Sequence, residues 1–318
     1  MTDRYAVVGN PVAHSLSPQI HSAFAAQTGA DLEYTRLLAP HDAFVATVEA
    51  FRNAGGRGVN ITLPFKVEAW TMATRRSARA EQAQAANTLK FDGAEIFADN
   101  TDGAGLVRDI EINCGFAIAG KRVLLLGAGG AARGVMLPLI ECKPAALVVA
   151  NRTFEKARDL AAHFSRWGRC TASSYAQLGD SAFDLVINAT SASVAGALPP
   201  LNEGVSAPGA LAYDMMYGAP AEGFLSLARA SGALATADGL GMLIEQAAES
   251  FLLWRGVRPP TAGVFALLRR DVQKREQTHA KNHEARQTFE LLTQSAPAGI
   301  FRSNQQGDIL FVNNRWST

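Results

Sequence analysis

A chain of 318 residues exceeds the roughly 250–300 over which one hydrophobic core keeps growing, so two domains are expected. Apolar residues at 48% supply ample core, and charged residues at 19% fall below the ~25% of an average soluble protein, which together exclude wholesale disorder. Thirty basic against twenty-nine acidic residues leave a net charge of +1, which offers no field for gripping nucleic acid or an anionic membrane.

In chain order, Tyr5–Val8, Tyr34–Leu37 and Val59–Leu63 predict strands, being rich in β-branched and aromatic residues and closed by Gly or Pro. Pro18–Thr28 and Asp42–Asn53 carry apolar residues at helical spacing, with Gly29 and Gly55 as caps. This alternation predicts a mostly parallel sheet with helices on its faces. Tyr5-Ala6-Val7-Val8 meets Gly9-Asn10-Pro11 at once, so no secretory leader is expected, and no run approaches the ~20 apolar residues of a membrane span. A cytoplasmic location is the expectation. Cys114, Cys142 and Cys170 are evenly spaced in unrelated surroundings, an odd and sparse set that fits a reducing compartment. No metal motif appears; His279 and His283 share a helical face but read as a solvated surface, and no metal is expected.

A second unit begins near Gly120. Arg122–Leu126, Ala146–Ala150, Leu185–Ala189 and Leu211–Asp214 are near-continuous apolar strands, as when both sheet faces are buried. Helices Ala131–Glu141, Thr153–Arg166 and Pro220–Ser231 lie between or after them, a doubly wound pattern. Leu240–Trp254 and Thr261–Leu268 predict two closing helices that pack back on the first domain.

Leu124-Leu125-Leu126 runs straight into Gly127-Ala128-Gly129-Gly130-Ala131-Ala132, a G-x-G-x-x-A loop between strand and helix. Gly127 permits the tight turn, Gly129 the approach of a pyrophosphate, and Ala132 close helix–strand packing. The helix start adds free N–H groups and a positive dipole end. The next strand ends in Asn151-Arg152-Thr153, with no carboxylate before Glu155 to take a ribose 2′-hydroxyl. Arg152 can fork onto a 2′-phosphate and Thr153 can donate a hydroxyl, so NADP is expected rather than NAD.

Four polar clusters sit at strand ends of the first domain: Gly9–Pro18 with Ser15 and Ser17, Asn60–Lys66 with Thr62, Asn87-Thr88, and Asp99–Gly103. Singly each reads as a cap or a turn. Together they offer hydroxyls, amides, an ammonium and a carboxylate, a set suited to a small polyhydroxylated acid.

GNPVAHSLSP, NITLPFK, AANTL, DNTDG, GAGGAA, NRT, NATS, YDMMY and DGLGMLIEQAAESF follow one another from Tyr5 to about Leu268, and this series resembles the shikimate dehydrogenase family. The resemblance implies a substrate domain, an NADP domain, a cleft between them, and reversible NADPH-dependent reduction of 3-dehydroshikimate. By the same resemblance Lys66 and Asp102 are the catalytic pair, and Ser15, Ser17 and Tyr217 hold the substrate carboxylate. Asn60, Thr62, Asn87 and Gln246 bind ring hydroxyls or shape their site. Gly127 through Ala132, Asn151, Arg152, Thr153 and Gly239 form the cofactor side. The boundaries expected are 1–103 for the substrate and catalytic domain, 104–239 for the Rossmann-like domain, 240–272 for the returning helices and 273–318 for a tail. Two positions depart from the family pattern: Ala192-Ser193 follows Ser191, and Gly218-Ala219-Pro220 follows Tyr217.

Residues 269–318 hold eight Lys/Arg against five Asp/Glu. Asp271–Leu292 predicts a polar helix, and Ala298–Phe301 and Ile309–Val312 predict a hairpin across Gln305–Asp308. This tail resembles the opening of a PAS sensory domain, with too few strands to enclose a ligand cavity. The expected partner is a small-molecule substrate, with no nucleic acid and no membrane; a homodimer is left open. The alternatives are a quinate/shikimate dehydrogenase of relaxed specificity, and a non-catalytic nicotinamide-sensing module.

Overall fold

The computed structural model describes residues 2–179, 181–190, 198–295, 300–303, 306 and 308–312. It divides into two units, Met1–Leu267 and Leu268–Thr318.

The first unit opens with β1 (Asp3–Gly9), α1 (Ser17–Thr28), β2 (Leu32–Leu38), α2 (Phe44–Asn53) and β3 (Gly56–Ile61). Then come α3 (Lys66–Met72), β4 (Arg75–Arg76), α4 (Ala78–Ala83), β5 (Thr88–Asp92) and β6 (Glu95–Asp99). They build a six-stranded sheet in the order β2-β1-β3-β5-β6-β4. Strand β1 runs parallel to β2 and β3, and Tyr5 through Val8 are buried on both its faces, which explains their unbroken apolar run. Helix α1 stops where Gly29 takes a left-handed φ of 67° and donates to the Ala25 carbonyl. Ala54, not Gly55, closes α2, and Gly55 follows at φ 90°.

The parallel pattern is broken by β5, antiparallel to both β3 and β6. The β5–β6 hairpin turns at Gly93, φ 54°, directly after Asp92. An Asp-Gly pair is a strong hairpin signal, and here it was the legible cue to two strands absent from the expected elements.

Helix α5 (Asp102–Arg108) leaves this sheet and runs into a π-helical turn at Asp109–Asn113. The second sheet follows: β7 (Arg122–Leu126), α6 (Gly130–Glu141), β8 (Ala146–Ala150), α7 (Phe154–Phe164), β9 (Cys170–Ser173), β10 (Phe183–Asn188), β11 (Ser206–Asp214), α8 (Ala219–Ala230) and β12 (Ala235–Asp238). Every pair in it is parallel, in the order β12-β11-β10-β7-β8-β9. That is a doubly wound sheet with its switch point between β7 and β10, where open α/β sheets form their crevice. Val123 through Leu126 are wholly buried, so β7 runs through the core.

Helix α9 (Leu240–Arg255) returns to the first sheet. Trp254 stacks on Tyr5 at 4.6 Å and donates its indole N–H to the Leu89 carbonyl at 3.0 Å, while Arg255 pairs with Asp3. Between α9 and α6 lies α5, admitted by two glycines. A Cβ on Gly105 would meet the Gln246 backbone nitrogen at 2.7 Å, and one on Gly103 the Gly134 carbonyl at 2.7 Å. In the adjoining π-helical turn, Asp109 is buried and accepts from Tyr213 Oη at 2.6 Å and Asn113 Nδ2 at 2.8 Å; burial pushes its carboxyl up.

The two helices expected at Thr261–Leu268 and Asp271–Leu292 are one, α10 (Ala262–Ser295), because no Gly or Pro interrupts residues 264–295. In the second unit, β13 (Phe301–Ser303) and β14 (Ile309–Val312) pair as an antiparallel hairpin with Phe301, Ile309 and Val312 exposed. Ala298, Gly299, Gln305 and Gly307 of the expected hairpin lie outside the described residues, as do the side chains of His279 and His283.

Candidate active site

Lys66 opens α3 and Asp102 opens α5, and the Lys66 ammonium donates to Asp102 Oδ2 at 2.5 Å. The other carboxylate oxygen, Oδ1, accepts from Asn87 Nδ2 at 2.8 Å. Both oxygens of Asp102 are therefore held, and among the described residues the two remaining N–H bonds of Lys66 take no partner.

Asn87 sits just before β5 and is 2% exposed. Its Oδ1 accepts from the Thr101 backbone N–H at 2.9 Å; a backbone amide can only donate, so the side-chain amide is fixed with Nδ2 toward Asp102. Gln246 on α9 is fixed likewise, because its Nε2 donates to the Leu243 carbonyl at 2.9 Å and its Oε1 accepts from Asn87 at 3.1 Å. One Nε2–H of Gln246 is left over. Asn60, on β3, is 5% exposed; it accepts from Tyr34 Oη at 2.7 Å and donates to Thr88 and Ser250 at 3.1 and 3.0 Å. Its protein partners use it fully, so it shapes the floor of the site.

Ser15 lies in the loop after β1 and Ser17 opens α1, the Ser15 hydroxyl donating to Ser17 Oγ at 3.1 Å. Arg36 clamps the Ser15 carbonyl at 3.0 and 2.6 Å, which fixes this loop from β2. Tyr34 connects the loop to the floor: burial pushes its phenol well up, and the Ser17 hydroxyl pulls the other way. Against Tyr34 lies His21, fully buried, its ring stacked at 4.3 Å and neither nitrogen hydrogen-bonded among the described residues. Burial lowers its pKa to about 3, so it is a neutral ring there. Thr62 follows β3 beside Gly9, where a Cβ would meet its methyl at 2.2 Å. Tyr217 lies in the turn between β11 and α8.

On the second sheet, Gly127 leaves β7 at φ 106°, with the Ala189 carbonyl 3.1 Å from where its Cβ would be. Only glycine takes this turn at the switch point without strain. Gly129 caps α6 with extended backbone and no side-chain cap, and a Cβ on Gly129 or Gly130 would face open space. Ala132 is buried beneath the loop. Asn151 Nδ2 bonds the Thr153 carbonyl at 2.9 Å and shapes the turn that carries Arg152. Arg152 and Thr153 are exposed, and no carboxylate pairs with Arg152 among the described residues. Uncapped first-turn N–H groups, open glycines and a guanidinium without an acidic partner fit a dinucleotide phosphate with an added 2′-phosphate. Gly239 begins α9 with its Cβ position 2.3 Å from the Met215 carbonyl, so backbone packing alone requires glycine there. Ser191 through Ala197, which include the departure at Ala192-Ser193, lie outside the described residues.

Sequence reasoning placed Thr88 and Thr101 in polar clusters without giving them a role, and it missed Tyr34 and Ser250 as members of this network. Ser250 carried a cue: four residues after Gln246, it shares that residue's helical face.

Three family models match successive stretches of the chain. They describe a shikimate dehydrogenase substrate binding domain at residues 7–89, a shikimate/quinate 5-dehydrogenase at 111–195, and a shikimate 5'-dehydrogenase C-terminal domain at 239–267. The shikimate dehydrogenase (NADP(+)) of Herminiimonas arsenicoxydans is 60% identical over 269 residues, spanning 85% of this chain and 98% of that protein. The solved structure of an Ael1 enzyme from Pseudomonas putida is 50% identical, with TM-score 0.80 over 84% of this chain and 98% of that one. The shikimate 5-dehydrogenase of Thermus thermophilus, solved with NADP(H) and shikimate, is 32% identical, with TM-score 0.73 over 85% of this chain and 99% of that one.

Proposed function

The chain belongs to the shikimate dehydrogenase family, and on that premise we propose how its residues divide the work of the NADP-dependent, reversible interconversion of 3-dehydroshikimate and shikimate. The activity is that of an oxidoreductase acting on a CH–OH group, in aromatic amino-acid biosynthesis. Ser15, Ser17 and Tyr217 take the substrate carboxylate. Thr62 and the spare N–H of Gln246 meet ring hydroxyls, while Asn60 and Asn87 shape the floor.

The chemistry that NADPH supplies when bound is a hydride. Gly127 through Ala132 receive its pyrophosphate, and Arg152 with Asn151 and Thr153 its 2′-phosphate; Gly239 closes the site from α9. Lys66 Nζ holds the proton that the substrate carbonyl oxygen takes up, and its charge stabilises that oxygen as it becomes an alkoxide. Asp102 aims the ammonium. In the oxidative direction the pair takes the proton back. The carrying observation is the 2.5 Å Lys66–Asp102 contact with Asp102 fixed from its other side by Asn87.

We assign residues 1–103 to the substrate domain, 104–239 to the cofactor domain and 240–272 to the returning helices. Residues 273–318 are the opening of a sensory domain joined to the enzyme, a reading supported by a polar helix leading to the β13–β14 hairpin. Among the described residues no helix is long and apolar enough to cross a membrane, and we place the chain in the cytoplasm. Whether it forms a homodimer is decided by light scattering.

Initial rates with shikimate and quinate, each with NADP and NAD, test the reading; shikimate with NADP should be fastest. Faster turnover of quinate would make it a quinate dehydrogenase, and absence of turnover a binding module. Lys66→Ala should lower turnover by roughly 10²-fold with a much smaller change in KM for substrate. Asp102→Asn should also be impaired, and the double variant less than additive. Near-normal turnover in Lys66→Ala would remove it from the mechanism.

A further inference from the structure

Thr101 occupies the N-cap of α5, where threonine is favoured because its hydroxyl can accept from the first-turn N–H groups. It makes no such bond. Its hydroxyl turns inward instead, accepting from Asn87 Nδ2 at 2.9 Å and lying 3.2 Å from Gln246 Oε1 and from Asn87 Oδ1, either of which can accept its proton. Ser250, fully buried on α9, lies 2.7 Å from Thr88 Oγ1 and 3.3 Å from Thr101 Oγ1. It accepts from Asn60 Nδ2 at 3.0 Å and donates to the Gln246 carbonyl at 3.1 Å. None of these hydroxyls reaches the surface: Thr88 and Thr101 are as fully buried as Ser250.

The three hydroxyls thus join β3, β5, α5 and α9 at one point directly behind Asn87 and Gln246. We propose that Thr101 and Ser250 are positioning residues for the reaction, holding Asn87 and Gln246 so that Asp102 keeps its donor and Lys66 its aim. The assignment rests on the reading of Lys66 and Asp102 as the catalytic pair. The cap is given up for two amides, of which Asn87 holds Asp102 and Gln246 holds Asn87. Hydroxyls suit this task because each is both donor and acceptor and can match two amides whose orientation backbone groups already fix.

The test compares Thr101→Val, which keeps the shape and removes the hydroxyl, with Thr101→Ser, which restores it. Thr101→Val should lose roughly tenfold in kcat for 3-dehydroshikimate reduction, the scale of one buried hydrogen bond, while KM for NADPH stays within about twofold. Thr101→Ser should regain most of that loss. Ser250→Ala, which only removes an oxygen, should lower kcat in the same direction and serves if the valine variant does not fold. Wild-type kcat in both Thr101→Val and Ser250→Ala, or equal losses in the valine and serine variants, would overturn the proposal. Lys66→Ala is assayed alongside: if it stays active, the catalytic pair is wrong, whereas an inactive Lys66→Ala beside an unimpaired Thr101→Val refutes the positioning role alone.

Discussion

At the end of β8 the Arg152 guanidinium stands exposed with no acidic partner among the described residues, so it gives up no ion pair on meeting a phosphate. Arg152→Ala should therefore weaken NADP by roughly tenfold or more, one charge-assisted contact, and leave NAD almost unchanged. Fluorescence titration of each cofactor measures this, and equal losses would mean that Arg152 supports only the adenine or the turn. His21 makes a different prediction, about acid stability. Its pKa is about 3 in the folded chain against 6.5 for a free imidazole, so between those values the unfolded chain binds a proton that the folded chain refuses. Stability from this group is full above about pH 6.5 and falls as pH drops, by up to ~1.4 kcal/mol per pH unit. His21→Phe, which keeps a ring against Tyr34, should lose roughly 1.6 kcal/mol less than the parent between pH 6.5 and 5 in urea titrations. Parallel losses in the two proteins would show that this imidazole does not set the acid response.

Helix α5 carries the site because it can lie close to its neighbours, and Gly105 is where it meets α9. A methyl group there would stand 2.7 Å from the Gln246 backbone nitrogen and 2.8 Å from the Met242 carbonyl, both backbone atoms that cannot swing aside. Alanine improves helix propensity by about 1 kcal/mol, but forcing two packed helices apart costs roughly 1–3 kcal/mol. Gly105→Ala should thus lower the melting temperature by a few degrees and reduce kcat as Gln246 moves, read by calorimetry and initial rates. An unchanged kcat would show that α9 tolerates the shift. At this scale the sequence was most legible where both faces of an element are buried: β7 and β8 are read to the residue from their apolar runs. It was least legible where tertiary pairing decides. Cys170–Ser173 and Ala235–Asp238 are short outer strands with little apolar signal, and they form because β8 and β11 offer an open edge. The site shows the same division. Lys66, Asp102 and the glycine loop stand in motifs with distinctive residue types, while Thr101 and Ser250 are ordinary hydroxyl residues whose use depends on elements brought together from opposite ends of the chain.

For the whole molecule, every residue assigned to the site lies at or before Ser250, and the matched relative is covered almost fully by 85% of this chain. A chain ending at Gln273 should keep its kinetics with shikimate and NADP. It should also self-associate less, because Phe301, Ile309 and Val312 are exposed on the hairpin. A large fall in turnover or melting temperature on truncation would refute this independence. The return of α9 has a consequence of another kind, in time. Tyr5, Val7 and Tyr34 form one apolar cluster with Trp254, so strands made first on the ribosome are covered by a helix made after the whole second sheet. At roughly 5–20 residues per second, some 10–50 s separate β1 from α9. Through that interval the nascent substrate domain carries an open apolar flank, and the domain begun first is completed only after the cofactor domain has left the ribosome.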